Sequence, residues 1–152
     1  MKKVHSMMKQ ERLLKARGVL RHGDSILLCY NKAQQFYFLP GGSLEAHESL
    51  PQCLARELLE ECQLRVAVGN FLGCLECHWQ TNQVQYQELD FIFQLHATKD
   101  SIPTAVHSLE DHISFSFLKE ADIKADKYRL LPTSCVQFLD ASIPPHYLFE
   151  KQ

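Results

Sequence analysis

The stretch GSLEAHESLPQCLARELLEECQL, residues 42–64, decides the fold of this chain. Its second part predicts a helix over Ser49–Cys62. Ser49 followed at the third position by Gln52 forms a capping box, which marks a helix start. Pro51 falls in the first turn, where a missing N–H costs little. The interior is mostly Leu, Glu, Ala and Arg, all of which favour a helix.

Three glutamates of this helix share one face. Glu57, Glu60 and Glu61 are spaced i, i+3, i+4 and so fall together on a helical wheel. Like charges at this spacing repel, and negative charge near a helix C-terminus is unfavourable. A hard cation relieves both penalties, and carboxylate oxygens suit Mg²⁺ or Mn²⁺. The opposite face is apolar and is predicted to pack on the core; its residues are Ala55, Leu58, Leu59 and Cys62.

The same glutamates have an ordinary explanation, because a Glu-rich helix face is usually a solvated surface. The spacing of the whole stretch favours a functional site. It resembles the Nudix box, whose pattern is G, five residues, E, seven residues, R-E-U-x-E-E-x-G-U, where U is a bulky aliphatic residue. Eight of the nine fixed positions match. The matching residues are Gly42, Glu48, Arg56, Glu57, Leu58, Glu60, Glu61 and Leu64.

The departure is Gln63, which stands where the family has glycine. That glycine follows the helix, where left-handed backbone geometry is common. A side chain there costs on the order of 1 kcal/mol if the geometry is kept. The departure therefore concerns the helix end and leaves the carboxylates in place.

The resemblance implies hydrolysis of a phosphoanhydride bond with Mg²⁺ or Mn²⁺. Glu60 and Glu61 would bind the metal directly, and Glu57 beside them would be a ligand or the general base. Arg56 and Glu48 would hold helix and loop together by an ion pair. A bound cation polarises phosphate and lowers the pKa of its water. The implied metal ligands are Gly42, through its carbonyl, Glu57, Glu60 and Glu61.

Candidates also lie outside this stretch. The family often supplies another acid from a later strand or loop, and Glu88 occurs in the middle of a mostly apolar predicted strand. Its alternative is a solvent-facing strand residue. Glu110 and Asp111 are weaker candidates in a predicted loop. Trp79 and Tyr86 would either stack on a base or sugar or form a cross-strand pair.

The remaining sequence predicts strands interleaved with helices, hence an α/β fold. The resemblance implies an α/β/α sandwich with a mixed central sheet, in one domain over residues 1–152. Expected elements are a loose extension at 1–11, a hairpin of 13–20 and 25–30, a short run at 36–39, two or three strands within 66–95 turning at 80–83, a strand at 113–118 and a closing helix at 130–139.

The composition of the chain limits the kinds of binding partner that we expect. The 152 residues carry a formal charge of −2, which gives no general attraction to nucleic acid or an anionic membrane. No apolar run approaches the ~20 residues that span a bilayer, and no signal peptide is visible. We therefore expect a cytoplasmic protein with six reduced cysteines. Its partner would be a small nucleotide, and a homodimer is compatible with the sequence.

The sequence does not select the substrate. ADP-ribose hydrolases of the family tend to have a proline soon after the box, whereas none occurs between Pro51 and Pro103. Diadenosine polyphosphate hydrolases tend to have a tyrosine there, whereas the nearby aromatic is Trp79. Two classes stay open: an active hydrolase, or a Nudix-fold module that senses a nucleotide without cleaving it. The complete glutamate set favours the hydrolase.

Overall fold

The computed structural model describes residues 7–98, 102–103 and 105–151. These residues form eight strands, two α-helices and a 3-10 helix. In chain order they are β1 (Lys9–His22), β2 (Ser25–Asn31), β3 (Phe36–Phe38), β4 (Gly41–Ser43), α1 (Leu50–Cys62), β5 (Val66–Thr81), β6 (Val84–Ala97), β7 (Ile113–Lys119), α2 (Glu120–Lys124), the 3-10 helix (Thr133–Phe138) and β8 (His146–Lys151).

The strands form one mixed sheet in the order β3-β2-β1-β6-β5-β8, with β4 paired to β1 and β7 paired to β2. The pairs β1–β6 and β5–β8 are parallel, and the others are antiparallel. The predicted mixed sheet is thus confirmed. The predicted hairpin forms only at its tip, where Arg21 faces Ile26, because the rest of β1 pairs with β6 and β4.

Both faces of the sheet are covered by helices, as an α/β/α sandwich requires. Strand β2 shows the alternation: Leu27 and Cys29 pack in the cluster that contains α1, whereas Ile26 and Leu28 pack with α2 and the 3-10 helix. The six cysteines are free, and five are buried in these two layers. Among the described residues, no helix has the length and apolar character needed to cross a membrane.

Helix α1 begins as predicted, with Ser49 as its cap and both hydrogen bonds of the capping box to Gln52. Its buried residues are Cys53, Leu54, Leu58 and Cys62. The predicted core face was therefore wrong in part, because Leu59 is 40% exposed. Leu54, Leu58 and Cys62 follow each other at i, i+4, i+8 and form the central line of the contact, which leaves Leu59 at its edge.

Two other boundaries differ from the prediction. Residues 9–11 are the start of β1, paired in parallel with β6 from Lys9 opposite Val84; they are not a loose extension, and residues 1–6 lie outside the described residues. The closing helix is a 3-10 helix of six residues, Thr133–Phe138. It starts only after Pro132, which cannot donate a backbone hydrogen bond, and Thr133 and Val136 are poor helix formers.

The end of α1 explains the departure from the box pattern. Gln63 has φ 56° and ψ 24°, the left-handed geometry that usually favours glycine. Its N–H donates to the Leu59 carbonyl at 3.0 Å, so the helix ends normally at the expense of backbone strain. The Gln63 side chain is exposed to solvent.

We expect Gln63→Gly to raise the free energy of unfolding by about 0.5 kcal/mol, because relief of strain exceeds the added chain entropy. Gln80→Gly, at an exposed position inside β5, is the matched control and should lower stability by about 1 kcal/mol. Urea unfolding measures both. Turnover should be unchanged, and a large gain in turnover would show that the departure affects catalysis.

Two acids are buried in the sheet layer that faces the 3-10 helix. Glu88 pairs with Lys15 Nζ at 2.6 Å. Asp90 has a side chain only 3% exposed, and Arg17 Nε lies 4.0 Å from its Oδ1, too far for a hydrogen bond. Burial is the main cause that raises the pKa of Asp90 to about 7, and the Arg17 charge offsets it only in part.

A carboxyl whose folded-state pKa is raised destabilises the fold as pH increases, because ionisation then costs more in the folded state. Between pH 4 and pH 7 the parent protein should lose stability that the Asp90→Asn variant keeps. We expect the variant to match the parent near pH 4 and to exceed it by about 2 kcal/mol or more at pH 8. Unfolding midpoints across pH measure this, and parallel curves for the two proteins would contradict it.

Candidate active site

The segment before α1 that contains Gly41 and Gly42, here called the glycine loop, packs closely against the sheet. Strand β4 pairs with β1, with Gly41 opposite Arg17 and Gly42 opposite Ala16. A Cβ atom at Gly41, which has φ 139°, would overlap the Ala16 carbonyl. A Cβ atom at Gly42 would overlap the Glu57 carboxylate. Glycine at 42 therefore lets the backbone of the loop lie against a glutamate of the helix.

Arg56 joins the loop to the helix. It donates from Nε and Nη2 to the two oxygens of Glu48, at 3.0 and 2.7 Å, and from Nη1 to Glu57 at 3.0 Å and to Glu60 at 3.1 Å. The hydrogen bonds from Arg56, with one from the Glu45 backbone N–H, lower the pKa of Glu48 to about 2. The structure thus contains the Arg56–Glu48 ion pair that the resemblance implied.

Glu61 lies at the buried end of the glutamate face. Its Oε2 atom is inaccessible to solvent and has no hydrogen-bond partner among the described residues. Burial is the main cause that raises its pKa to about 8, and the negative charges of Glu57 and Glu110 add to it. Ionised Glu57 and Glu61 therefore repel each other at a site with too little positive charge.

This arrangement fits a divalent cation. Glu57 and Glu61 lie near each other, the unpartnered oxygen of Glu61 is an available ligand atom, and Gly42 brings its backbone against Glu57. Two carboxylates completed by water and phosphate oxygens are a usual Mg²⁺ set. Glu60 is turned outward, with 60% of its side chain exposed and Arg56 as its partner. Accordingly, no ready-made group of three acid, His or Cys ligands occurs among the described residues.

The later acids lie in two different places. Glu88 shares the sheet face of Ile92, which packs against the 3-10 helix layer and not against α1. The structure therefore does not bring Glu88 to the glutamates of α1. Glu110 lies nearer, since its charge acts on Glu61 and the N–H of the adjacent Leu109 donates to the Glu61 carbonyl at 2.7 Å.

A cavity of about 380 Å³ opens on the face that carries Glu88. Beside the cavity, Trp79 and Tyr86 form a stacked cross-strand pair, with their ring centroids 3.9 Å apart. Such a pair is one of the two alternatives predicted from the sequence for these residues. The lining residues of the cavity are Lys15, Arg17, Asn31, Gln34, Phe36, Phe38, Leu39, Cys77, Trp79, Glu88, Asp90, Ile92, Leu131, Pro132 and Cys135.

Sequence reasoning missed three charged members of this cavity, Lys15, Arg17 and Asp90. A signal was present: Lys15 and Arg17 alternate within the mostly apolar stretch 13–20, and Glu88 and Asp90 alternate within the mostly apolar stretch 88–93. Opposite charges at alternate positions of two apolar strands indicate paired strands that bury them together. The parallel register indeed sets Lys15 opposite Asp90.

Comparison with known proteins gives a consistent result. No curated protein matches the sequence significantly. A MutT protein from Methanosarcina mazei Go1 superposes with a TM-score of 0.65 at 19% identity, covering 87% of this chain and 93% of that one. A Nudix hydrolase from Nitrosomonas europaea gives 0.62 at 21%, covering 87% and 90%. An ADP-ribose pyrophosphatase from Streptococcus suis gives 0.56 at 17%, covering 92% and 98%.

These likenesses, at such low identity, show a shared fold. The family itself is shown by the sequence, because the NUDIX domain model matches residues 12–133. That range contains the glycine loop, helix α1 and the sheet strands β1 to β7 almost entirely. The chain therefore belongs to the Nudix hydrolase family.

Proposed function

We propose that this protein cleaves a phosphoanhydride bond in a nucleoside diphosphate-linked or nucleoside triphosphate substrate, with Mg²⁺ or Mn²⁺. The observation that carries the proposal is the pair Glu57 and Glu61, held at the glycine loop with one buried carboxylate oxygen unpartnered. Such a pair is costly unless a cation binds it. We place the protein in the cytoplasm, in keeping with its free cysteines.

The residues of the glycine loop and α1 would have two roles, metal binding and positioning of the loop. Gly42, Glu57 and Glu61 would hold the cation, and Glu60 would join them if it left Arg56. Bound there, the cation would polarise the phosphate and activate water. Arg56 fixes the loop against the helix through Glu48, which keeps Gly42 beside Glu57.

Three acids are candidates for a role in activating the water, and the general base stays open among them. Glu57 lies in the cluster and can be ligand or base, as the family allows. Glu88 lies in the cavity on the other sheet face and is paired with Lys15. Its role would therefore be to orient the substrate or to assist proton transfer from that side. Glu110, in a loop beside Glu61, is the remaining acid close to the cluster.

A second function is a sensor that binds a nucleotide without cleaving it. The same cluster argues against it, because a module that only binds a nucleotide has no need to keep the mutually repelling carboxylates of Glu57 and Glu61. One structural neighbour is an ADP-ribose pyrophosphatase, which is in keeping with hydrolysis.

The test is phosphate release from a panel of nucleoside triphosphates, nucleoside diphosphate sugars and dinucleoside polyphosphates, with and without Mg²⁺. Coupling to a phosphatase or pyrophosphatase makes every product visible. We expect turnover of at least one substrate with Mg²⁺ and none in excess EDTA, because the cation supplies the transition-state charge. Full turnover in EDTA would rule the mechanism out, and tight binding without turnover would favour the sensor.

Glu61→Gln and Glu88→Gln should behave differently. We expect Glu61→Gln to abolish measurable turnover and weaken Mn²⁺ binding, because a metal-binding carboxylate is lost. Glu88→Gln should reduce turnover, by about 10²–10⁴-fold if it assists proton transfer, and leave Mn²⁺ affinity nearly intact.

Glu11→Gln, on the surface beside Lys9, is the control for loss of one negative charge. Kinetics and a Mn²⁺ titration on all three variants decide the assignment. Activity retained in Glu61→Gln would make the metal-site assignment wrong. Parent-like activity in Glu88→Gln would limit the search for the base to the box and the loop of Glu110.

A further inference from the structure

The strand path β3-β2-β1-β6-β5-β8 ends differently on its two sides. At the β3 end, the Tyr37 N–H donates to the Arg129 carbonyl at 2.8 Å, and the Leu131 N–H donates to the Tyr37 carbonyl at 2.9 Å. At the other end, β8 (His146–Lys151) pairs only with β5 among the described residues. The outer edge of β8 therefore presents backbone N–H and C=O groups that pair with no other described strand.

Strand β8 lacks the features that usually keep an open edge from pairing. Proteins protect such edges with charged side chains, proline or a bulge within the strand. The centre of β8 is instead the run Tyr147, Leu148 and Phe149, and no irregularity interrupts its pairing with β5. Strand β7, which is also paired on one side, exposes the polar residues Ser116 and Lys119. An uncharged aromatic edge such as that of β8 is the kind that pairs with another extended strand.

The two aromatic rings of β8 are exposed but held in place. Tyr147 is 58% exposed and Phe149 is 51% exposed. The Tyr147 hydroxyl donates to Glu76 Oε1 at 3.0 Å, and the Phe149 ring lies edge-on to the His78 ring, with the centroids 4.8 Å apart. Rings that are already fixed lose little entropy on binding, and aromatic rings are typical anchors of protein interfaces. These rings therefore favour another protein strand as the partner of the edge.

A second copy of the same strand complements this edge. Side chains alternate along a strand, so residues that face each other in an antiparallel pair must lie on the same face of the sheet. A two-fold axis at Leu148 satisfies this condition and sets Tyr147 opposite the partner's Phe149. Two aromatic residues in facing positions form a favourable cross-strand pair. Because of the symmetry, this aromatic pair occurs twice in the interface.

The charges on the other face of β8 agree with the same register. There His146 faces the partner's Glu150, and within each copy Glu150 is held in position by the Ser134 N–H at 2.7 Å. An imidazole opposite a carboxylate forms a hydrogen bond or, when it is protonated, an ion pair. A two-fold axis at Phe149 would instead set Leu148 opposite Glu150, an apolar side chain against a charge. The axis at Leu148 therefore gives the more complementary pairing.

We propose that β8 is an interface between two copies of this chain, paired antiparallel about a two-fold axis at Leu148 so that the two sheets become continuous. A strand of six residues buries less surface than a permanent dimer needs. We therefore expect a reversible dimer with a Kd on the order of 10–100 µM. The proposal does not depend on the proposed function, because α1 and the glycine loop take no part in this interface.

Analytical ultracentrifugation of the purified protein measures the association, without nucleotide or divalent cation, from about 1 µM to about 1 mM. We expect the parent protein to shift from one chain to two chains across this range. A parent protein that stays monomeric throughout would overturn the proposal and leave the edge to an extended segment of another protein.

Two double variants test the register, and they differ only in the sign of one charge. Tyr147→Lys with Phe149→Lys sets lysine opposite lysine at both facing positions, whereas Tyr147→Lys with Phe149→Glu sets lysine opposite glutamate. Both variants lose the same rings and the same hydrogen bond to Glu76. We expect the lysine–glutamate variant to associate about ten-fold or more tightly than the lysine–lysine variant.

Ser116→Lys, at an exposed position of β7, is the control for added positive charge and should associate as the parent protein does. Circular dichroism verifies that each variant folds. Tyr147→Glu combined with Phe149→Lys or with Phe149→Glu repeats the comparison if a lysine variant does not fold. Equal association of the two double variants, or association in neither, would overturn the pairing at β8, as would a weakened dimer in Ser116→Lys.

Discussion

The site depends on the ion pairs that Arg56 forms with the surrounding glutamates. Arg56 binds both oxygens of Glu48 and also contacts Glu57 and Glu60. It thereby ties a loop that approaches the sheet through two glycines to a helix that carries three acids. Without the Arg56 guanidinium, the loop and the helix would bring several carboxylates together with no positive charge to compensate them. The contact between the Gly42 backbone and Glu57 would then lose the ion pair that stabilises it.

The alternation of the sheet separates the molecule into two chemical compartments. Side chains on one face of β1 and β6 pack under α1, and those on the other face form the cavity with its two acids. Arg17 is common to both compartments, since its positive charge opposes the raised pKa of Glu61 and that of Asp90.

Features of the fold and the site could be predicted from the sequence where they depend on residues close together in the chain. The capping box and the limits of α1 are set by residues close together in the chain, and the sequence predicts them correctly. The Arg56–Glu48 pair was implied by the family resemblance, and the structure contains it. The mixed sheet followed from resemblance. By contrast, the exposure of Leu59 depends on how α1 is rotated against distant strands, which periodicity alone does not reveal.

The cavity illustrates the same limit. Glu88 was an expected candidate because an acid is unusual in an apolar strand, but only the parallel pairing of β1 with β6 shows that Lys15 partners it and that Asp90 lies alongside. These partners are about seventy residues apart in sequence, and the alternating charges of the two strands suggest that the strands pair without fixing which residues face each other. Long-range register is therefore what the structure adds to the sequence.

The buried thiols have a consequence for the chemical durability of the protein. The thiolate is the form that reacts with oxidants and alkylating agents. Burial raises the pKa of all six cysteines above the usual range, so at neutral pH they remain as thiols. Cys74, the one that is not fully buried, is the natural first point of attack. A chain rich in cysteine is thereby protected by its own packing, and needs neither disulfides nor a bound metal to keep its sulfur atoms unreactive.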